Sequence, residues 1–467
     1  MTLLVLGIDG AVREYVEEAI DRGLMPNMEN LIDEGFFGDM KSTVPPVTIP
    51  AWVSIFSGQR PDRFDTYHLT ELDEDRERFT APSERWRGDM VWDRIDGRFG
   101  LNSVPGNSPV WPLDGYAVEG LPMAEDPGVY PGSLREKLPP LEYPDHGDVP
   151  DGEQKREVFR QIFEKKKRVF SETPDDVDVK IEIYHLPDRM GHAADRKSHI
   201  LEAYGMMDEV IGQKIEEYDN ILAISDHGFK QVERCFYPNA WLRDNGYLEL
   251  EQQGSATRDR KEKIQRIAKI LADTPLRPLL KKMNDLVSSS TGVELSPDST
   301  GIEDIDFDRT EAFSYRAGSL SYADININHE VVQGKEAGEL RQQLKKGLEQ
   351  VDGVEKVWLA EEIYEEPENM PELVVKTAEN VATGSAIFPE QFLSNDAFVH
   401  SDTGIVAASG PAFREGQLEE VEIIDVAPTI AEYLGQELAC DGEPLDVFRE
   451  GFRPVEPSES EVEDIEF

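Results

Sequence analysis

Four apolar runs of strand length constrain this chain more than any other feature. They read LLVLGI (3–8), VKIEIYHL (179–186), ILAIS (221–225) and GIVAAS (404–409). Helical patterns lie between them, over residues 13–34, 195–217 and 425–434. Apolar strands alternating with helices imply an α/β fold, a mostly parallel central sheet flanked by helices on both faces. In such a sheet ligands sit beyond the carboxyl ends of the strands. Asp9 and Asp226 come just past two of these strand ends, and Asp188 follows a third.

The remaining segments divide the chain. Residues 1–230 and 400–455 read as the core, and 231–399 as a smaller α+β cap or insertion. Within the insertion, DININ, KVWLA and ELVVK read as short strands and 337–350 as a helix. Residues 100–150 are rich in Pro and Gly and read as long loops. Residues 255–290 carry a local basic excess at helical spacing, which reads as one or two amphipathic helices docked on an acidic body. Residues 456–467 read as an acidic, flexible tail.

Charge narrows the partners. The 467 residues carry 95 Asp and Glu against 48 Lys and Arg, a net charge of −47. The acids are spread along the chain, as a solvated shell over a folded body would require. Molar salt shrinks the screening length to about 3 Å, so such a shell suits a halophilic, high-salt cytoplasm. The charge excludes nucleic acid polymers and anionic lipid as bulk partners. No basic leader, twin-Arg or membrane-length apolar run occurs, so a soluble cytoplasmic protein is expected. Two cysteines, Cys235 and Cys440, imply no disulfide framework. Composition leaves the oligomeric state open.

Eight histidines occur, and three have an Asp in a suggestive place. LPDRMGH sets Asp188 four residues before His192. ISDHGF sets Asp226 beside His227 at a strand end. VHSDTGI sets His400 a few residues before a strand. With Asp9, these loops converge on one edge if the sheet is parallel. Each residue alone is better explained otherwise, an Asp as a turn or helix cap and a His as a hydrogen-bonded surface or core residue. Together, three imidazoles and three carboxylates suit zinc, with manganese as the alternative, and six ligands fit two ions better than one. A paired site is a device for phosphoryl transfer. In STVPPVTIPAWVSIFSGQRP, Thr48 stands near the N-cap of a helix running to about Phe56. Free amides and the positive helix end favour an anion there, so Thr48 is the candidate nucleophile.

With these residues in line, the chain resembles the alkaline phosphatase superfamily, and within it the type I phosphodiesterase / nucleotide pyrophosphatase branch. The matching stretches are VLGIDGA, STVPPVTIPAWVSIFSGQRP, VWDRI with NSVPGNSP, LPDRMGH, ISDHGF, PELVV, HSDTGI and IIDVAPTIAEYLG. The resemblance implies an alkaline-phosphatase-like fold and a two-zinc hydrolase of a small phosphoester. Asp188, His192 and His400 would hold one ion; Asp9, Asp226, His227 and Thr48 would hold the other. Thr48 would attack phosphorus. Two positions depart from the family. Phe64-Asp65 replaces a His-Gly after the nucleophile helix, and Leu69 stands near an Asn that contacts a phosphate oxygen in nucleotide pyrophosphatases. A sulfatase is disfavoured because Thr48 cannot become formylglycine. A phosphomonoesterase of the same superfamily is the alternative reading, and a non-catalytic binding protein on this fold is a further one. Asn239, Trp241 and the basic run Arg258–Lys282 are candidate substrate contacts.

Overall fold

The computed structural model describes all residues except 73–77, 121–125, 145–148, 150–151, 252–303, 316–319, 419 and 458–467. The basic segment 255–290 and nearly all of the acidic tail lie outside the described residues. The chain forms two compact units. One comprises Met1–Gln231, Ile363–Met370 and Ala397–Phe467; the other comprises Val232–Glu362 and Pro371–Asp396.

The first unit is built on a 10-stranded sheet. Its strands are β1 (Leu3–Ile8), β2 (Gly35–Lys41), β3 (Phe99–Val104), β4 (Gly115–Glu119), β5 (Val129–Tyr130), β6 (Val179–Tyr184), β7 (Asn220–Ile224), β8 (Thr403–Ser409), β9 (Gly416–Gln417) and β10 (Val421–Glu422). The order is β9-β2-β8-β7-β1-β6-β3-β4-β5, with β10 also on β2. The centre β7-β1-β6-β3-β4 is parallel. Both faces are covered, which explains the apolar runs. Leu3, Val5, Ile181, Leu222 and Val406 enter one core with Trp52 and Ile430. Their neighbours Leu4, Leu6, Ile221 and Ile405 enter the other with Tyr15, Phe163 and Met207. Successive residues of a strand point to opposite faces, so one continuous apolar run feeds two cores.

Strand β8 is antiparallel to both neighbours, β7 and β2. Its beginning therefore lies at the carboxyl edge of the parallel strands. His400, which precedes β8, consequently reaches the same edge as Asp9 and Asp226, which follow theirs.

Two expectations need correction. Residues 13–34 form two helices, α1 (Arg13–Asp21) and α2 (Pro26–Asp33). Gly23 takes φ +70, and Pro26 disfavours a helical Met25 before it. Asp208 accepts the Asn27 and Met28 amides and so caps α2 from helix α6 (Lys197–Glu217). Residues 100–150, read as loops, supply three strands: β3, β4 and β5. β3 is wholly buried and pairs with β6. Its Pro and Gly neighbours sit in the turns that follow it. The other helices that matter here are α3 (Thr48–Ser57), α4 (Glu153–Phe170), α5 (Leu186–His192), α6 and α7 (Val426–Tyr433).

The second unit contains a four-stranded antiparallel sheet, ordered Ala312–Phe313, Tyr322–Ile327, Leu373–Thr377, Val354–Leu359. Helix Gly334–Leu348 buries Ala337, Leu340, Leu344 and Leu348, the one-sided spacing of an amphipathic helix. Asn239 donates to the Ser314 and Ser385 carbonyls and accepts the Ser314 amide. Its hydrogen-bonding capacity is spent inside this unit, and Trp241 is buried beside Tyr247. Neither is a substrate contact.

Ile363–Met370 packs within the first unit. The Tyr364 hydroxyl bonds the Val44 amide and carbonyl, and Asp62 accepts the Glu365 and Glu366 amides. Asp65 accepts the Asn369 amide from a left-handed φ of +50. The backbone here occupies the αL region, which Asp tolerates better than most residues.

Candidate active site

Asp9, Asp188, Asp226 and His227 are all buried at the carboxyl edge of the sheet. The Asp188 amide donates to the Asp9 carbonyl, tying α5 to the turn after β1. Gly10 takes φ +78, and a Cβ there would meet the Asp188 backbone at 3.0 Å. A Cβ on Gly228 would lie 2.4 Å from the Thr403 carbonyl. Gly10 thus lets the turn after β1 lie against α5, beside Asp188, and Gly228 lets the Asp226–His227 turn lie against the start of β8, just past His400.

The side chains form two overlapping clusters. The ligand atoms of Asp9, Asp226 and His227 lie within 4.8 Å of one another, as do those of Asp188, His227 and His400. His192 joins the second cluster: its Nε2 is 3.1 Å from Asp188 Oδ1 and 3.0 Å from His400 Nε2. His227 Nε2 is 3.2 Å from Asp226 Oδ2, 3.7 Å from Asp9 Oδ1 and 3.4 Å from Thr48 Oγ1. All seven residues singled out in the sequence are therefore within one small volume. Thr48 is the first residue of α3 rather than its cap; the cap is Val47, whose side chain cannot bond the first-turn amides.

Ring orientation is fixed from behind. His400 Nδ1 donates to the Pro46 carbonyl at 2.9 Å, leaving the Nε2 lone pair for the cluster. His227 Nδ1 is 3.2 Å from the Gly228 carbonyl, which orients its Nε2 in the same way. The His227 and His400 rings stack at 3.8 Å, and Phe229 packs against His192 and His400. His192 is exposed, so the cluster opens to solvent on that side.

The electrostatics call for cations. Burial, then the Asp188 charge, pushes Asp9 well above the usual carboxylate range. Burial, then Asp9 and Asp188, does the same to Asp226. Asp188 is also penalised by burial, but His192 and His400 outweigh it and hold its carboxyl well below the usual range. Burial, then His400, keeps His227 neutral. No hydrogen bond of normal geometry reaches either carboxylate oxygen of Asp9 or Asp226 Oδ2, and the Trp52 indole lowers the Asp9 pKa less than burial raises it. Buried acceptors without donors are costly unless a cation serves them. Neutral imidazoles with unpaired carboxylates are the donor set of a divalent metal, so the residues present fit such ions.

Sequence reasoning passed over three charged or polar side chains near this edge: Arg189, Lys166 and Tyr364. Only Arg189 stood inside a motif, LPDRMGH, where its neighbours drew the attention.

Comparison with other proteins fits this geometry. Among curated proteins none matches the sequence significantly. Murine ectonucleotide pyrophosphatase / phosphodiesterase 5 shares the fold at TM-score 0.56 and 14% identity, over 95% of this chain and 98% of the other. An inactive threonine-to-alanine form of the murine protein in complex with AMP superposes at 0.55 and 14%, over 95% and 97%. The human counterpart does so at 0.55 and 12%, over 95% and 97%. No described helix is long and apolar enough to cross a membrane. The family model for type I phosphodiesterase / nucleotide pyrophosphatase matches residues 3–385. The chain therefore belongs to the type I phosphodiesterase / nucleotide pyrophosphatase family and is a phosphoric ester hydrolase.

Proposed function

We propose that the protein hydrolyses phosphodiester or pyrophosphate bonds of a small soluble substrate through Thr48 and a pair of divalent ions. Asp188, His192 and His400 hold one ion, and Asp9, Asp226, His227 and Thr48 hold the other; zinc suits these donors best, with manganese second. The observation that carries this reading is Asp9: wholly buried, with neither oxygen hydrogen-bonded, beside two further acids and three imidazoles.

Bound divalent ions would lower the pKa of the Thr48 hydroxyl and neutralise charge on the phosphoryl oxygens. The chain does the rest. Thr48 Oγ1 attacks phosphorus in line with the departing oxygen and releases an alcohol or phosphate, leaving the phosphoryl group, with its remaining ester substituent, esterified to Thr48. Water then displaces Oγ1 and regenerates the hydroxyl. The first turn of α3, uncapped by any side chain, offers amides and a positive helix end to the phosphoryl oxygens. Pro46 and Gly228 hold the two imidazoles in the productive tautomer. The inactive threonine-to-alanine form of the murine neighbour supports a threonine in this role.

Thr48→Ala is expected to abolish turnover of a phosphodiester while the protein keeps two divalent ions per chain. Undiminished hydrolysis by that variant would overturn the mechanism. A phosphomonoesterase is the second reading. Leu69 favours it, since a 46% exposed aliphatic side chain offers no carboxamide to a nucleotide phosphate. A panel of diesters, pyrophosphates and monoesters separates the two.

A further inference from the structure

Arg189 follows Asp188 in α5 and precedes His192 by three residues. Among the described residues, every other buried or half-buried arginine forms an ion pair or donates to a carbonyl. Arg85 pairs with Glu71, Arg98 with Asp176 and Arg156 with Asp195, for instance, and Arg94 donates to the Ala439 carbonyl. Among the described residues, half-buried Arg189 forms no ion pair and no side-chain hydrogen bond. Acid is not scarce in a chain with 95 acidic side chains against 48 basic ones. An unpaired guanidinium is therefore a departure from how this protein treats its arginines.

Residues three apart share a helix face, so Arg189, one residue past Asp188, and the exposed His192 are neighbours on α5. The Arg189 charge acts on Asp9, where it opposes the effects of burial and Asp188. It also acts on Lys166 and His185, after burial in each case. Lys166 Nζ donates to Ser103 Oγ at 2.6 Å and lies 3.5 Å from His185 Nδ1, both neutral partners. Among the described residues no carboxylate lies within ion-pair distance of it. Among the described residues neither side chain forms an ion pair, and Arg189 is the more accessible. A guanidinium held open in this way matches a planar oxyanion by two parallel hydrogen bonds.

We propose that Arg189 is a specificity-determining residue that grips a second anionic group of the substrate, a phosphate or carboxylate a few bonds from the phosphorus under attack. The inference rests on the reading of the adjacent cluster as a phosphoester site. It narrows the substrate class to phosphoesters with at least two anionic groups. The competing role is that of a plain counter-charge to Asp9.

The test is calorimetric binding of two matched probes to the metal-loaded protein: 3-phosphonopropionate and propylphosphonate, which differ by a terminal carboxylate. The wild type is expected to favour 3-phosphonopropionate. Arg189→Gln should narrow that preference by about tenfold or more, the usual range for a charge-assisted pair. Arg189→Lys, which keeps the charge without the fork, should recover part of it. An unchanged preference in Arg189→Gln overturns the proposal. So does equal weakening of both probes with loss of metal, which is the counter-charge outcome. Failure of the underlying phosphoesterase reading looks different: the metal-loaded wild type turns over no phosphoester at all.

Discussion

Removing the divalent ions should destabilise the first unit, and more so at neutral than at acid pH. The perturbation is a chelator added to the purified protein. An ion present at about 100 times its dissociation constant stabilises the fold by about 2.7 kcal/mol, so two contribute about 5 kcal/mol. Unfolding entropy near ~2.1 cal/mol/K per residue gives ~650 cal/mol/K for the roughly 310 residues of that unit. The expected drop in melting temperature is then about 8 °C. The pH sign follows from the acids. Asp9 and Asp226 are raised in the fold. A raised carboxyl favours folding fully below its unfolded value near ~3.9, and that advantage is lost as pH rises through its folded value. Asp188 is lowered, so its contribution is present above ~3.9 and lost only in stronger acid. Between pH 5 and neutrality the raised acids decide: without ions they leave the fold weaker at neutral pH. The ions also bind best there, because their ligands must be deprotonated. Scanning calorimetry with and without chelator, at pH 7.5 and 5, measures both effects. Equal melting temperatures with and without chelator at pH 7.5 would refute the reasoning.

Other outcomes follow from single residues and from charge. Burial, then Arg189, holds the Lys166 amine at about 7. Its burial cost is felt fully below that value and fades toward the unfolded value near ~10.4, so Lys166→Met should be more stable than wild type at pH 6, by on the order of 2 kcal/mol, and equal near pH 10. Denaturant titrations at both pH values check this, and a gain that persists at pH 10 would refute it. Asp65 sits at φ +50, so Asp65→Gly should be about 1 kcal/mol less damaging than Asp65→Ala, although both lose the Asn369 bonds. Chemical denaturation of the two variants gives the difference directly. The net charge of −47 predicts loss of far-UV dichroism in dilute buffer and its return in molar KCl; equal signals in both would count against salt adaptation.

Four strands of the central sheet were legible because strands buried on both faces read as continuous apolar runs. The sequence disclosed candidate ligands because acids and histidines at such strand ends have few structural uses in common. His400 was the least legible of these. It precedes its strand, and only the antiparallel course of β8 brings it to the edge that Asp9 and Asp226 reach by following theirs. The break between α1 and α2 was written in Gly23 and Pro26 but hidden by a continuous apolar periodicity. β3 was hidden by the Pro and Gly of its own turns. Arg189, Lys166 and Tyr364 were out of reach for another reason. Their meaning lies in what they touch or fail to touch, and partners such as Val44 and Ser103 are distant in the chain.

The most direct test of the account is the chemical state of Thr48 during turnover. Metal-loaded protein is quenched in acid while hydrolysing a phosphodiester, digested and analysed by mass spectrometry. The account predicts a peptide whose Thr48 carries one adduct with the mass of the phosphoryl group plus the ester substituent the substrate retains, absent from Thr48→Ala, which is itself inactive. Steady turnover by Thr48→Ala, or an adduct borne by another residue, would contradict it.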